Sequence, residues 1–258
     1  MILFAQIFLG ILRWKRFLIL KQITISINRC GQIFWTGLLF NQLLPSSVGG
    51  DAIRTYFLMR NGFKIGVSSI SILLDRMFGL IGLLILLLIF IPLSKYFVPE
   101  IISILQIYFL IILMIVFISV IFSLDIFVKR LSKYKFFQLI STLAKDGRYV
   151  LRNSQLGITI IILSISIHVL TVLSIGFIAL SLDIIIPWSF LFVIVPIVIL
   201  LVFIPISISG WGLREGIMVF GLSFVGISGA EALTLSLTYG FFLLITSLPG
   251  IVFLITNK

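Results

Sequence analysis

Apolar residues run almost unbroken through 77–93, 101–124, 156–180 and 229–256, and the polar positions are gathered into a few places between them. Each run is close to the ~20 residues that carry a helix across a hydrocarbon core of roughly 30 Å. Backbone groups in lipid must bond within their own segment, and the alternating segments of a β-barrel are missing. The pattern therefore predicts an all-α fold, a polytopic helical membrane bundle, with full spans at about 65–93, 101–124, 156–180 and 229–256.

Two further apolar segments are too short or too broken to cross. Residues 32–44 stop at Pro45, followed by Gly49, Gly50, Asp51 and Arg54; residues 188–204 contain Pro196 and stop at Pro205, followed by Gly210, Gly212, Arg214 and Glu215. Each reads as half of a re-entrant hairpin, the first over about 32–61 and the second over about 188–226. From their prolines the two breaks, PSSVGGDAIR and PISISGWGLR, share Pro, Ser at +2, a β-branched residue at +3, Gly at +5, an aliphatic at +8 and Arg at +9. An odd number of spans between the hairpins has them enter from opposite faces, as an inverted repeat does.

Charge sets the orientation. Of 258 residues 61% are hydrophobic, yet 19 are Lys or Arg against 8 Asp or Glu, a formal charge of +11. In a soluble protein this would suggest nucleic acid. Here the cations cluster beside spans, at Arg13–Lys64 and Lys129–Arg152, so both blocks are expected in the cytoplasm and no nucleic-acid partner is. The N-terminal apolar stretch before Arg13 gives only ~18 Å of helix, so either Arg13 and Lys15 snorkel or the start lies upstream. The basic linker 125–154 has an amphipathic pattern suited either to the anionic inner leaflet or to a solvated loop. One domain over 1–258, in the cell membrane and multi-pass, accommodates all of this.

The candidate chemistry lies at the breaks. Pro45 ends one half-helix, Gly49 and Gly50 permit a turn, and the helix that begins near Asp51 exposes N–H groups with a positive end, to which Arg54 adds a full charge. Gly210 and Gly212 before Arg214 repeat the device. Two such ends suit an anion, and phosphate is the anion that lipids offer. The candidate lipid-binding set is Asp51, Arg54, Asp75, Arg76, Arg214 and Glu215. These three acids and three bases can equally neutralise one another and hold the hairpins, with Asp75 able to reach Arg54 or Arg214.

Weaker signals come from other side chains. Ser164, His168 and Thr171 form an i, i+4, i+7 stripe expected to face the bundle, with His168 as a hydrogen-bonded packing residue. Trp14, Tyr96 and Trp188 are expected at interfacial belts, whereas Trp211 between two glycines is expected to plug the turn or stack on a substrate. The lone Cys30 and single histidine predict no cysteine-based metal site and no cofactor.

In the segments NQLLPSSVGGDAIRTYFLMRNG (41–62), SISILLDRMFGLIGLL (69–84), PISISGWGLREG (205–216) and SLPGIVFLI (247–255), the chain resembles the transmembrane region of lysylphosphatidylglycerol synthase, a large flippase-like family of bacterial and archaeal membrane proteins. The resemblance covers nearly the whole chain. It implies a helical bundle with two re-entrant elements that moves lipids or lipid-linked sugars between leaflets, with Asp51, Arg54, Asp75, Arg76, Arg214 and Glu215 at the family's charged positions. Relative to the family the N-terminus looks shortened, and no soluble aminoacyl-transferring domain follows Lys258, so lysylation by this chain alone is not expected. Membrane lipids are the expected partner, with a second copy or an envelope-biosynthesis protein as further ones. The alternative is a membrane-embedded enzyme or accessory protein of lipid metabolism, with Asp51 or Asp75 as base or metal ligand. Carboxylates followed closely by arginine are acceptor-only and less suited to such work.

Overall fold

The computed structural model describes residues 1–44, 48–94, 135–203 and 210–256, with isolated positions between 112 and 123. The expected span at 101–124, Tyr96, Pro45 and Pro205 lie outside the described residues. All the regular structure described is helical: α1 (Ile2–Leu20), α2 (Ile27–Leu43), α3 (Val48–Arg60), α4 (Ile65–Ser94), α5 (Lys135–Arg152), α6 (Ser154–Ser181), α7 (Trp188–Val202), α8 (Leu213–Ser223), α9 (Gly229–Ser247) and α10 (Pro249–Thr256). Among the described residues, three stretches are long and apolar enough to cross a membrane: Ile65–Pro92, Ser154–Ser181 and Gly229–Ile255.

Local chemistry marks where the helices begin and end. Ser26 Oγ accepts from the Arg29 N–H (3.1 Å) and Asn153 Oδ1 from the Leu156 N–H (3.1 Å), which caps α2 and α6. Ser228 and Glu231 close a reciprocal capping box on α9. Pro249 separates α9 from α10, so the run expected as one helix over 229–256 is two regular pieces.

α2 and α3 run antiparallel. A Cβ on Gly37 would meet Arg54 Cγ at 2.7 Å, and one on Gly50 would meet Gly37 O at 2.2 Å and Asn41 Oδ1 at 2.4 Å, so higher positions on one helix face lower positions on the other. This corrects the expected role of Gly49 and Gly50. α3 starts at Val48 and both glycines are helical; Gly50 serves the helix crossing, because any side chain there would strike backbone, while Gly49 packs on Leu44 at the end of α2. α7 and α8 are antiparallel too: Gly221 abuts Ile194, and Gly210 abuts Val202. Gly210 and Gly212 both have φ +81, a backbone region that favours glycine.

One core joins α1, α4, α6 and α7 through Phe17, Leu74, Phe78, Leu83, Ile160 and Val193; a second fills the space among α6 to α9 with Val172, Val195, Leu222 and Leu235. The outer surface is apolar as well, with Ile89, Ile158, Ile162, Phe220 and Phe241 exposed, as a lipid-facing bundle requires. α5 sets its apolar face on the bundle. Leu143 and Val150 join the first core, and Lys21 Nζ bonds Asp146 Oδ2 at 2.5 Å. The amphipathic part of the linker over Lys135–Arg152 is thus a docked helix, its apolar side spent on protein.

Candidate functional site: a buried chain of alternating charge

α1 does not stop at Leu12. It continues to Leu20, which carries Arg13 into the interior and corrects its assignment to the cytoplasmic basic block. Arg13 Nε donates to Asp75 Oδ1 (2.8 Å), and Arg13 Nη1 donates to Ser164 Oγ (3.1 Å). The other oxygen of Asp75 accepts from Arg54 Nη2 at 3.4 Å. Arg54 Nη1 lies 3.6 Å from Asp51 Oδ1, and Asp51 Oδ2 accepts from Arg76 Nε. The five residues therefore read Arg76, Asp51, Arg54, Asp75, Arg13, alternating in sign along a line drawn from α3, α4 and α1.

Several features hold this line in place. Asp75 and Arg76 are neighbours on α4 and point to its two sides, so α4 feeds both ends. The absence of a side chain at Gly37 makes room for the Arg54 stem, and its guanidinium lies 4.0 Å from the Trp14 ring centroid and 4.9 Å from that of Phe34. Trp14 is fully buried and donates to Ser71 Oγ at 3.4 Å, which corrects its placement in an interfacial belt: the arginine face claims the indole. The buried Arg54 Nε has no hydrogen-bond partner.

Arg214 and Glu215 form a separate group. Arg214 donates from Nε and Nη2 to Glu215 Oε1 (3.0 and 2.7 Å), and Ser236 Oγ donates to the same oxygen at 3.2 Å. Glu215 Oε2 accepts the Gly212 N–H at 2.5 Å, so the positive end of α8 is met by its own carboxylate. Asp75 pairs with Arg54 and not with Arg214. Trp211 stacks over Arg214, its ring centroid 4.9 Å from Cζ, so the tryptophan covers the arginine.

The two breaks meet at Arg76. Besides bonding Asp51 at the start of α3, its Cζ lies 5.7 Å from the ring of Phe203 at the end of α7. Together Asp51, Thr55, Ser69, Arg76 and Phe203 line an open groove of about 470 Å³. The stripe on α6 faces inward: Ser164 receives Arg13, Thr171 Oγ1 accepts from Gln6 Nε2 (2.8 Å), and His168 Nε2 donates to Gly79 O (2.9 Å).

Arg13 and Trp14 are the site residues that the sequence reading missed. A signal was available, since Gln6, Gly10 and Arg13 stand at i, i+4 and i+7 on α1, the same spacing as the polar stripe on α6 that they face.

A helical bundle with membrane-length apolar helices and ionised side chains buried at its centre is an integral membrane protein. The chain belongs to the lysylphosphatidylglycerol synthase TM region family, whose model matches residues 1–250, and this ties it to membrane-lipid metabolism or transport. No curated protein and no solved structure matches it.

Proposed function

We propose that the protein is a lipid translocator, in which buried arginines receive the phosphate of a phospholipid or lipid-linked sugar while the acyl chains stay in lipid. The observation that carries this reading is the alternating line of Arg13, Asp75, Arg54, Asp51 and Arg76, three cations against two anions inside an apolar bundle. A phosphate supplies the anion that such a line accommodates. It binds by exchanging with a carboxylate for an arginine, so each ion pair held in the resting protein is a contact the headgroup can replace. Asp51 and Arg76 in the lining of the 470 Å³ groove suit entry, because two charged heads among otherwise mostly apolar lining residues match a lipid's own division.

In this reading the α2–α3 and α7–α8 pairs are re-entrant hairpins entered from opposite faces, and their alternate opening exposes the arginines to one leaflet and then the other. The helix N-termini are secondary, since Asn41 Oδ1 accepts the Gly50 N–H and Glu215 the Gly212 N–H. The protein acts as a carrier and not as a catalyst. Asp75 and Asp51 are each shared between two arginines, so their oxygens are already engaged by guanidiniums instead of standing open to a reacting group.

The test uses vesicles reconstituted with the protein and an acyl-labelled fluorescent phospholipid, bleached from outside with dithionite. Bleaching of inner-leaflet label by wild-type protein, lost in Arg54→Gln, is the expected result. Bleaching that stops at the outer leaflet, as in protein-free vesicles, ends the reading.

A further inference from the structure

A cavity of about 140 Å³ among α6 to α9 shares no residue with the line of alternating charge or with the groove beside Arg76. Its polar lining is Thr171, Arg214, Ser236 and Tyr239, and the rest of its wall is apolar. An apolar cavity of this size takes a group of about one benzene ring.

Arg214 comes to this space with its charge already answered. Glu215 Oε1 takes its Nε and Nη2 together with the Ser236 hydroxyl, and Oε2 takes the Gly212 N–H, so both carboxylate oxygens are filled. What remains are donors. Among the described residues Arg214 Nη1 donates to no protein group and the Tyr239 hydroxyl has no hydrogen-bond partner, although both residues are more than nine-tenths buried. A buried tyrosine ordinarily finds a partner for its O–H, and a buried donor left without one is costly. Neither atom is sealed off within protein, and both residues line the same cavity. A further full charge would enter beside the Arg214–Glu215 pair without a counter-ion. A carbonyl oxygen brings no charge, and its two lone pairs accept from two donors.

We propose that this cavity is a binding site for an uncharged carbonyl carried on a short apolar group, with the carbonyl oxygen accepting from Arg214 Nη1 and the Tyr239 hydroxyl. The ester of a lipid acyl chain and a free small ester both present that chemistry. Ile199 and Val202 of the wall are only half-buried, which puts this side of the cavity close to the lipid-facing surface. The site stands apart from the carrier reading, since it requires neither phosphate binding nor movement between leaflets.

The test uses purified full-length protein in a detergent without carbonyl groups. Binding of a diacyl phosphatidylglycerol is compared with that of its dialkyl ether analogue, which has the same headgroup and chain length, and binding of methyl hexanoate with that of hexyl methyl ether. The ester should bind about tenfold more tightly than its ether, the worth of hydrogen bonds to buried donors, and Tyr239→Phe should remove most of that preference. The carbonyl stretch of a bound, isotope-labelled ester should fall in frequency and return toward its free value in Tyr239→Phe, which separates a hydrogen bond from mere packing. Preference in the lipid pair alone assigns the site to a lipid's own ester; preference for methyl hexanoate assigns it to a free carbonyl compound. Equal binding within both pairs to wild-type protein overturns the site whether or not the variant folds, and so does a preference that Tyr239→Phe leaves intact. An ester preference without inner-leaflet bleaching would uphold this site and end the translocator reading; bleaching without preference would do the reverse.

Discussion

Arg13 and Asp75, separated by 62 positions in the chain, meet at 2.8 Å through a guanidinium Nε and a carboxylate oxygen, both side chains almost wholly buried. That contact fastens α1 to α4, and because Asp75 also receives Arg54, it fastens both to α3.

Removing the shared carboxylate should therefore be severe. Asp75→Asn leaves the buried Arg13 without its anion and Arg54 with Asp51 alone at 3.6 Å, and losing one partner of a buried pair costs about 3–5 kcal/mol. Thermal unfolding in detergent should show a large loss for Asp75→Asn and a smaller one for Arg13→Gln, with the double variant losing less than the sum. Strict additivity would mean that the two residues do not interact.

The glycines divide into two kinds with different expected costs. Gly50→Ala sets a methyl 2.2 Å from a backbone oxygen, so α2 and α3 must separate, an overpacking cost of about 1–3 kcal/mol or more. Gly212→Ala meets no atom within 4 Å and costs only its positive φ, about 1–2 kcal/mol. Unfolding temperatures should fall in that order, and the reverse order would refute the close crossing at Gly37 and Gly50.

Trp14 should tolerate phenylalanine better than alanine. Phenylalanine keeps an aromatic face for Arg54 and gives up the bond to Ser71, a loss of about 1 kcal/mol, whereas Trp14→Ala opens a cavity at about 3–5 kcal/mol. Chemical denaturation in mild detergent separates the two.

Side-specific labelling tests the opposed hairpins. Asn61 and Asp183 are both exposed, one just after α3 and the other just before α7, and Cys30 is fully buried. On a Cys30→Ser background, Asn61→Cys should react with an impermeant maleimide from one face of the membrane and Asp183→Cys from the other. Reaction of both from the same face would rule out entry from opposite sides.

The sequence made the helical membrane class and the two breaks legible, because hydropathy and the proline and glycine punctuation act locally. It also placed Asp75 within reach of Arg54 or Arg214, since depth along a helix can be counted from its end, and left the choice between them to the packing. Arg13 escaped because a rule that counts cations beside spans treats every basic residue at a helix end as topogenic. The rule has no view of whether an anion waits on a helix 62 positions away. Gly50 was read as a turn residue for a related reason: the same residue type serves a turn and a close helix crossing, and only the partner helix decides between them. Gly210 and Gly212 differ in that their own positive φ of +81 asks for glycine whatever helix lies opposite.

Arg76 holds Asp51 from the start of α3 while lying near the Phe203 ring at the end of α7. One side chain thus serves as an interlock between the two breaks. A shift at either break is felt at the other through this side chain, without travelling through the long helices between them.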